Sequence, residues 1–266
     1  MSDSSIRPRS VIASEYASNK SLAHFVLRLR NRTGVLEAVS GVVARNKVNI
    51  LSGFHETISE SESMWSFFGD VTGANVSAAQ LADELSRLSM SVLDVKFRVT
   101  SLGFIADAFH FPSCLGGRPL VMFTTSCMEA IFRHVREILG TGSAADVIIH
   151  QMGLSNGKEM YGAFESRFGK GAPQQVLVEY LHLIRAAGWG CETLTEFDVN
   201  RATVRIELDH CVECSIYESS KTPRSQFVRG TYSAFFSGFF GRPVDAEEVR
   251  CIACNDNVCE FLLKPQ

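Results

Sequence analysis

Five of the eight cysteines of this chain fall near its end, as Cys211-Val-Glu-Cys214, Cys251-Ile-Ala-Cys254 and Cys259. Thiolates with two residues between them can converge on one ion from a single tight turn, and four donors close a tetrahedral structural site. The two pairs are too far apart for a compact zinc ribbon, so the segment between them, which contains a whole helix, must bring them together. Zinc is the economical expectation for such a set. Iron–sulfur ligation is a chemical alternative, and redox sensing by thiol pairs is a third. Cys114, Cys127 and Cys191 stand alone among apolar residues and read as core.

No catalytic constellation accompanies the thiols. The sequence has no G-x-S-x-G, no H-E-x-x-H, no phosphate-cradling G-x-x-x-x-G-K and no dinucleotide fingerprint. His150 and His182 fall on helical segments and read as satisfied histidines rather than bases. A site closed by four ligands also leaves no position for water. Enzyme activity is therefore the weaker reading.

Composition narrows the classes further. A chain of 266 residues with 45% hydrophobic and 21% charged residues has enough material for two globular domains. A net charge of -3 without basic clusters argues against direct nucleic-acid binding. No apolar run is long enough for a membrane span. Residues 1–20 are polar, with no apolar h-region, and read as a disordered leader rather than a secretory signal. The expected compartment is the cytoplasm, where thiols stay reduced.

The elements that must position these residues separate into two sets. From Leu22 to Val99 the pattern is β-α-β-β-α-β. Ala23, Phe25, Leu27 and Leu29 alternate with His24, Val26, Arg28 and Arg30, as in a half-buried strand. Val35, Val39, Val42 and Val43 recur at helical spacing. Asn49–Thr57 and Met64–Val71 read as a hairpin around a polar turn, and Ser77 is placed to cap a helix bearing Leu81, Leu85 and Leu88. This order is the split βαβ, ferredoxin-like arrangement. Its Asn31-Arg32-Thr33-Gly34-Val35-Leu36 resembles the motif that ends the first strand of the ACT family, over residues 21–100. The resemblance implies an amino-acid-like effector bound where two such domains pair, lined by Asn31, Thr33, Gly34, Asn49 and Ile50. A role in dimerisation alone is the other reading.

A linker over residues 101–117 leads to a second domain over 118–266. Helices are expected over 122–139, 144–168, 172–187 and 223–240, with a hairpin formed by 192–198 and 203–209. The last helix carries Gly230, Ala234, Ser237, Gly238 and Gly241 between Phe227, Tyr232, Phe235, Phe236, Phe239 and Phe240. Such a stripe of small residues lets another backbone or a flat ligand lie close, with helix packing the more frequent outcome. The whole chain is thus expected to be a mixed α+β protein, with a ferredoxin-like ACT domain before a helix and antiparallel-sheet domain.

Gly241-Arg242-Pro243-Val244, Glu248-x-x-Cys251 and Cys259-Glu260-Phe261 resemble the end of the 4-vinyl-reductase domain family. Ile149 to Gly157 resembles its helix with paired glycines, and Phe111-Pro112 its opening. The resemblance implies a dimeric α/β domain with a buried apolar cavity and a zinc held by cysteines, sometimes with a glutamate. Carried onto this chain, the ligands are Cys251, Cys259 and Glu248, whereas the family's remaining cysteine falls on or near Ser225. A hydroxyl is a poor zinc ligand, so Cys211 or Cys214 is expected to take over, with Cys254 as an alternative ligand or a free thiol. Tyr232, Phe235 and Phe236 are the expected cavity lining.

The resulting expectation is a ligand-responsive regulator, a homodimer that binds a hydrophobic or aromatic small molecule and acts through a protein partner. The alternative is an enzyme or accessory that handles a hydrophobic substrate of the kind met in tetrapyrrole reduction.

Overall fold

In the computed structural model, which describes residues 10–140, 143–217 and 219–266, the chain divides into two units, up to Val121 and from Met122 onward. The protein has the mixed α+β architecture expected of its sequence, with antiparallel sheets in both units. Among the described residues, no helix is long and apolar enough to cross a membrane.

The first unit runs β1 (Ser14–Tyr16), β2 (Leu22–Arg30), α1 (Val35–Arg45), β3 (Asn49–Thr57), β4 (Glu62–Asp70), α2 (Ala78–Ser86), β5 (Val92–Thr100), β6 (Phe104–Ala106), β7 (Ser113–Leu115) and β8 (Arg118–Leu120). Its main sheet has the order β3-β4-β2-β5, with every neighbouring pair antiparallel. Ala23, Phe25, Leu27 and Leu29 of β2 meet the valines of α1 and Leu81 and Leu85 of α2 in one apolar core. Ser77 starts α2 with a capping box: its hydroxyl accepts from Gln80 N at 3.2 Å, and Gln80 Oε1 accepts from Ser77 N at 2.9 Å.

The other face of β2 departs from the half-exposed pattern. Leu22, His24 and Val26 are buried as well. Two segments expected to lack structure supply the cover. Of the 1–20 leader, residues 1–9 lie outside the described residues, but Ser14–Tyr16 forms β1 and pairs with β6, inside the expected linker. Ile105 of β6 then packs with Leu22 and Phe68, and Ile12 and Ala17 close over them. A strand this short is stable only through such burial, which is why local sequence does not announce it.

The second unit runs α3 (Thr125–Leu139), α4 (Ser143–Phe168), α5 (Gln174–Ala186), β9 (Cys191–Asp198), β10 (Thr203–Asp209), α6 (Gln226–Phe240), β11 (Val244–Arg250) and β12 (Cys259–Pro265). The sheet order is β11-β12-β10-β9, all antiparallel. Val204, Ile206 and Leu208 of β10 point to one face, where they meet Val228, Tyr232, Phe235 and Phe236 of α6.

The small residues of α6 are used against α4. A Cβ on Gly153 would sit 2.1 Å from Phe227 O, one on Gly157 2.2 Å from Thr231 O, and one on Gly230 2.3 Å from His150 O. The two backbones therefore touch, and only glycine permits that approach. The helix pair leaves no room for a flat ligand along this stripe.

Candidate functional site

Three separate stretches of the second unit deliver the sulfur-rich site. Cys214 opens a short 3-10 turn just after β10, Cys251 follows β11, and Cys259 begins β12, where it pairs with Leu208. Glu248 lies on β11. Three residues separate Glu248 from Cys251, so in a regular strand they would face opposite ways. The pairing of β11 with β12 shifts register between Glu248 and Arg250. That bulge adds the odd residue that turns both side chains inward.

Cys214, Glu248, Cys251 and Cys259 are all buried, and one donor atom from each lies within 4.8 Å of the others. Cys251 Sγ is 3.5 Å from Cys214 Sγ, and Cys214 Sγ is 3.6 Å from Glu248 Oε1. Ligands about 2.3 Å from a tetrahedral ion would stand ~3.8 Å apart. The three thiols and one carboxylate are thus spaced to hold a metal ion.

Ser225 stands where the resembled family has a cysteine. It is fully buried, with its Oγ 2.9 Å from Cys214 Sγ, and it donates to Glu248 Oε1 at 2.5 Å while its N–H donates to Glu248 Oε2 at 3.0 Å. The serine therefore orients the carboxylate and adjoins the thiol that occupies the ligand position, as a supporting partner does around a metal site. Ile252 N–H donates to Cys259 Sγ, and Cys251 N–H donates to Asp256 Oδ2 at 2.8 Å.

The remaining two cysteines separate. Cys211 is buried and hydrogen-bonded to Cys214 and Cys259, yet it is outside the mutually close quartet. Cys254 is half-buried and also outside it.

Proton placement follows from these contacts. Hydrogen bonds to Cys211, then to Cys251, hold the Cys214 thiol up, and the same bonds draw Cys211 and Cys251 down. Cys259 is pushed up first by its hydrogen bond to Cys211. Burial raises the Glu248 carboxyl to about 7, against the pull of the Ser225 donors. A metal ion binding here has protons to displace, so its affinity must rise with pH.

Glu213, within the first C-x-x-C, has a role that the cysteine pattern conceals. Its carboxylate accepts from Gln226, Phe227 and Val228 N–H at 3.0, 2.8 and 3.2 Å, capping α6 from outside the helix. Arg136 Nη2 reaches the same group at 3.2 Å, and both residues are buried. Desolvation pushes Glu213 up to about 8, a tendency that the helix N–H groups and Arg136 oppose. This clamp fixes the start of α6, and with it Ser225.

Tyr232, Phe235 and Phe236 lie inside the core. Tyr180 stacks on Phe235 at 5.6 Å, and Tyr232 meets Phe261 edge-on at 5.2 Å. Beside this core, Val178, Leu181, His182, Arg185, Glu192, Thr193 and Leu194 line a cleft of ≈ 190 Å³. Glu192 Oε2 and Arg185 Nε are buried there without a hydrogen-bond partner. Burial raises the Glu192 carboxyl to about 7.

In the first unit, Asn31 Nδ2 donates to Ser59 O at 3.1 Å and braces the β3–β4 hairpin, and Gly34 precedes α1 with φ 85°. Asn49 and Ile50 open the edge strand β3. Strand register puts the start of β3 level with the start of β2, so Asn31, Thr33 and Gly34 lie at the opposite end of the sheet. Within one chain these five residues do not line a common site.

Comparison with known proteins bears on the sulfur-rich segment first. Residues 204–265 match the vinyl-4-reductase domain family. An uncharacterized protein of Methanocaldococcus jannaschii is 24% identical over 136 residues, which cover 51% of this chain and 74% of that protein. Among solved structures, the phenol-responsive sensory domain of the transcription activator PoxR is similar over 56% of this chain and 78% of its own, at 18% identity and a TM-score of 0.48. The ACT domain from the GTP pyrophosphokinase of Chlorobium tepidum is similar over 29% of this chain and 96% of its own, at 17% identity and a TM-score of 0.24. The vinyl-4-reductase match spans all four donor residues, Cys214, Glu248, Cys251 and Cys259.

Proposed function

We propose that this protein is a ligand-responsive regulator whose second unit binds a small hydroxylated aromatic or apolar molecule in the cleft between α5 and β9. The observation that carries the reading is the pair of unpartnered buried atoms, Glu192 Oε2 and Arg185 Nε, at the wall of an otherwise largely apolar cleft. A buried polar atom without a partner costs about 1–3 kcal/mol, which a ligand hydroxyl can recover. Leu194 connects the cleft to the core that holds Tyr232, Phe235 and Phe236, so a bound molecule would shift that packing. The family match over residues 204–265 supports the class of domain.

Zinc is the ion that this reading assigns to Cys214, Cys251, Cys259 and Glu248. Three thiolates and a carboxylate suit a closed tetrahedral site, whose part would be to tie the turn after β10 to β11 and β12. The ACT-like unit would pair through the open edge of β3, bringing Asn31, Thr33 and Gly34 of one copy towards Asn49 and Ile50 of another to take an amino-acid-like effector. Output would pass to a protein partner.

Thermal-shift screening of the full chain with phenols, hydroxybenzoates and fatty acids tests the ligand assignment. Stabilisation by a phenol that Leu181→Trp abolishes is the expected result, and no shift with any compound would refute it. Sedimentation that finds only monomer at micromolar concentration would refute the pairing.

A further inference from the structure

The first unit gathers a separate set of metal-ligating side chains on the sheet face away from α1 and α2. His24, on β2, is fully buried and stacks on Phe68 with ring centroids 4.2 Å apart. Its Nε2 is 2.8 Å from the Ser66 hydroxyl. Its Nδ1 has no hydrogen-bond partner, and the nearest carboxylate oxygen, Asp107 Oδ1, is 3.8 Å away.

Asp107 is firmly placed just past β6. Its N–H donates to Ala13 O at 2.8 Å, and its Oδ1 accepts from Phe109 and His110 N–H at 2.8 and 3.2 Å. Its Oδ2 is 2.6 Å from His110 Nδ1, and His110 Nε2 is 3.3 Å from Met64 Sδ. One donor atom from each of His24, Asp107 and His110 lies within 4.8 Å of the others.

We propose that His24, Asp107 and His110 form a binding site for a divalent transition ion of the class that accepts imidazole and carboxylate ligands, such as zinc or iron(II). Two imidazoles and one carboxylate are a sufficient protein ligand set for these ions and leave a coordination position open. Ser66 occupies Nε2 of His24 and leaves Nδ1 as the ligand atom, the division of labour usual for a metal-bound histidine. Ligands about 2.1 Å from a tetrahedral ion stand ~3.4 Å apart, so the 3.8 Å gap between His24 and Asp107 closes with a small movement. This site is in a different unit from the cysteine cluster and does not depend on it.

Chelator-treated full-length protein, titrated with Co2+ and Zn2+ and checked by elemental analysis, tests the assignment. His110→Ala and Asp107→Asn, both at partly exposed positions, should each lose one equivalent or weaken it by roughly tenfold or more. The lost cobalt component should lack thiolate-to-metal charge-transfer absorption, which distinguishes it from any ion on the cysteines. Equal stoichiometry and affinity in the wild type and both variants would overturn the proposal. So would thiolate absorption accompanying every equivalent bound. His24→Gln tests the buried ligand directly; should it fail to fold, the other two variants still decide.

Discussion

Replacing Gly157 by alanine tests the backbone contact between α4 and α6. The new methyl carbon would lie 2.2 Å from Thr231 O and 2.9 Å from the Ala234 Cβ, where ordinary contact begins at 3.4 Å. The neighbour is helix backbone, which cannot swing aside, so the helices must part locally by roughly 1 Å. A gap of that size forfeits a quarter to a half of the dispersion energy of the facing atoms, and overpacking of this kind costs about 1–3 kcal/mol. Alanine returns ~1 kcal/mol of helix propensity. The structure gives the net sign to the clash because Gly153 and Gly230 share the same seam. Gly162→Ala is the control: it lies on the same helix with nothing within 4 Å of a new Cβ, so only the propensity gain remains. Urea unfolding followed by circular dichroism should show Gly157→Ala destabilised by about 2 kcal/mol and Gly162→Ala stabilised by up to ~1 kcal/mol. At roughly 2–4 °C per kcal/mol, their melting points should move in opposite directions. Equal stabilisation of both variants would refute the close-contact reasoning.

Alanine at Cys214, Cys251 or Cys259 should strip metal from the purified protein, whereas Cys254→Ala should retain it; elemental analysis checks both. Glu192 is protonated in the folded state up to about pH 7 and ionises near 4.5 once unfolded, so unfolding releases a proton between those values. Stability should therefore fall as pH rises through that window, by at most about 3 kcal/mol, and Glu192→Gln should flatten the slope of unfolding free energy against pH. Glu213→Ala leaves Arg136 buried without its carboxylate and uncaps α6, for a loss of about 3–5 kcal/mol measured by chemical denaturation.

The parts of the fold legible in the sequence are those written in local periodicity. The β2 alternation, the valine spacing of α1, the Ser77 cap and the β9–β10 hairpin each follow from neighbours a few residues apart. What local pattern does not carry is contact across long separations. His24 reads as a solvent-facing residue of an alternating strand, because its cover comes from residues more than eighty positions later. C-x-x-C spacing marks Cys211 and Cys214 alike, and only the turn geometry puts Cys214 against Cys251. The bulge after Glu248 has no glycine to signal it. Glu213 is hidden between two cysteines, although an acid just before a helix that lacks a good N-cap side chain is a usable sign.

The position of β12 bears on how the second unit assembles. It lies between β11 and β10, so two strands made earlier have no shared edge until residues 259–265 arrive between them. Every pairing in the middle of that sheet is a long-range closure, which slows folding relative to a meander of adjacent strands. A chain interrupted before Cys259 would lose the central strand and a donor thiol in one stroke. Ribosome-bound intermediates lacking that strand should expose the α6 aromatics to chaperones, and completeness of the chain becomes a condition for both the core and the metal cluster.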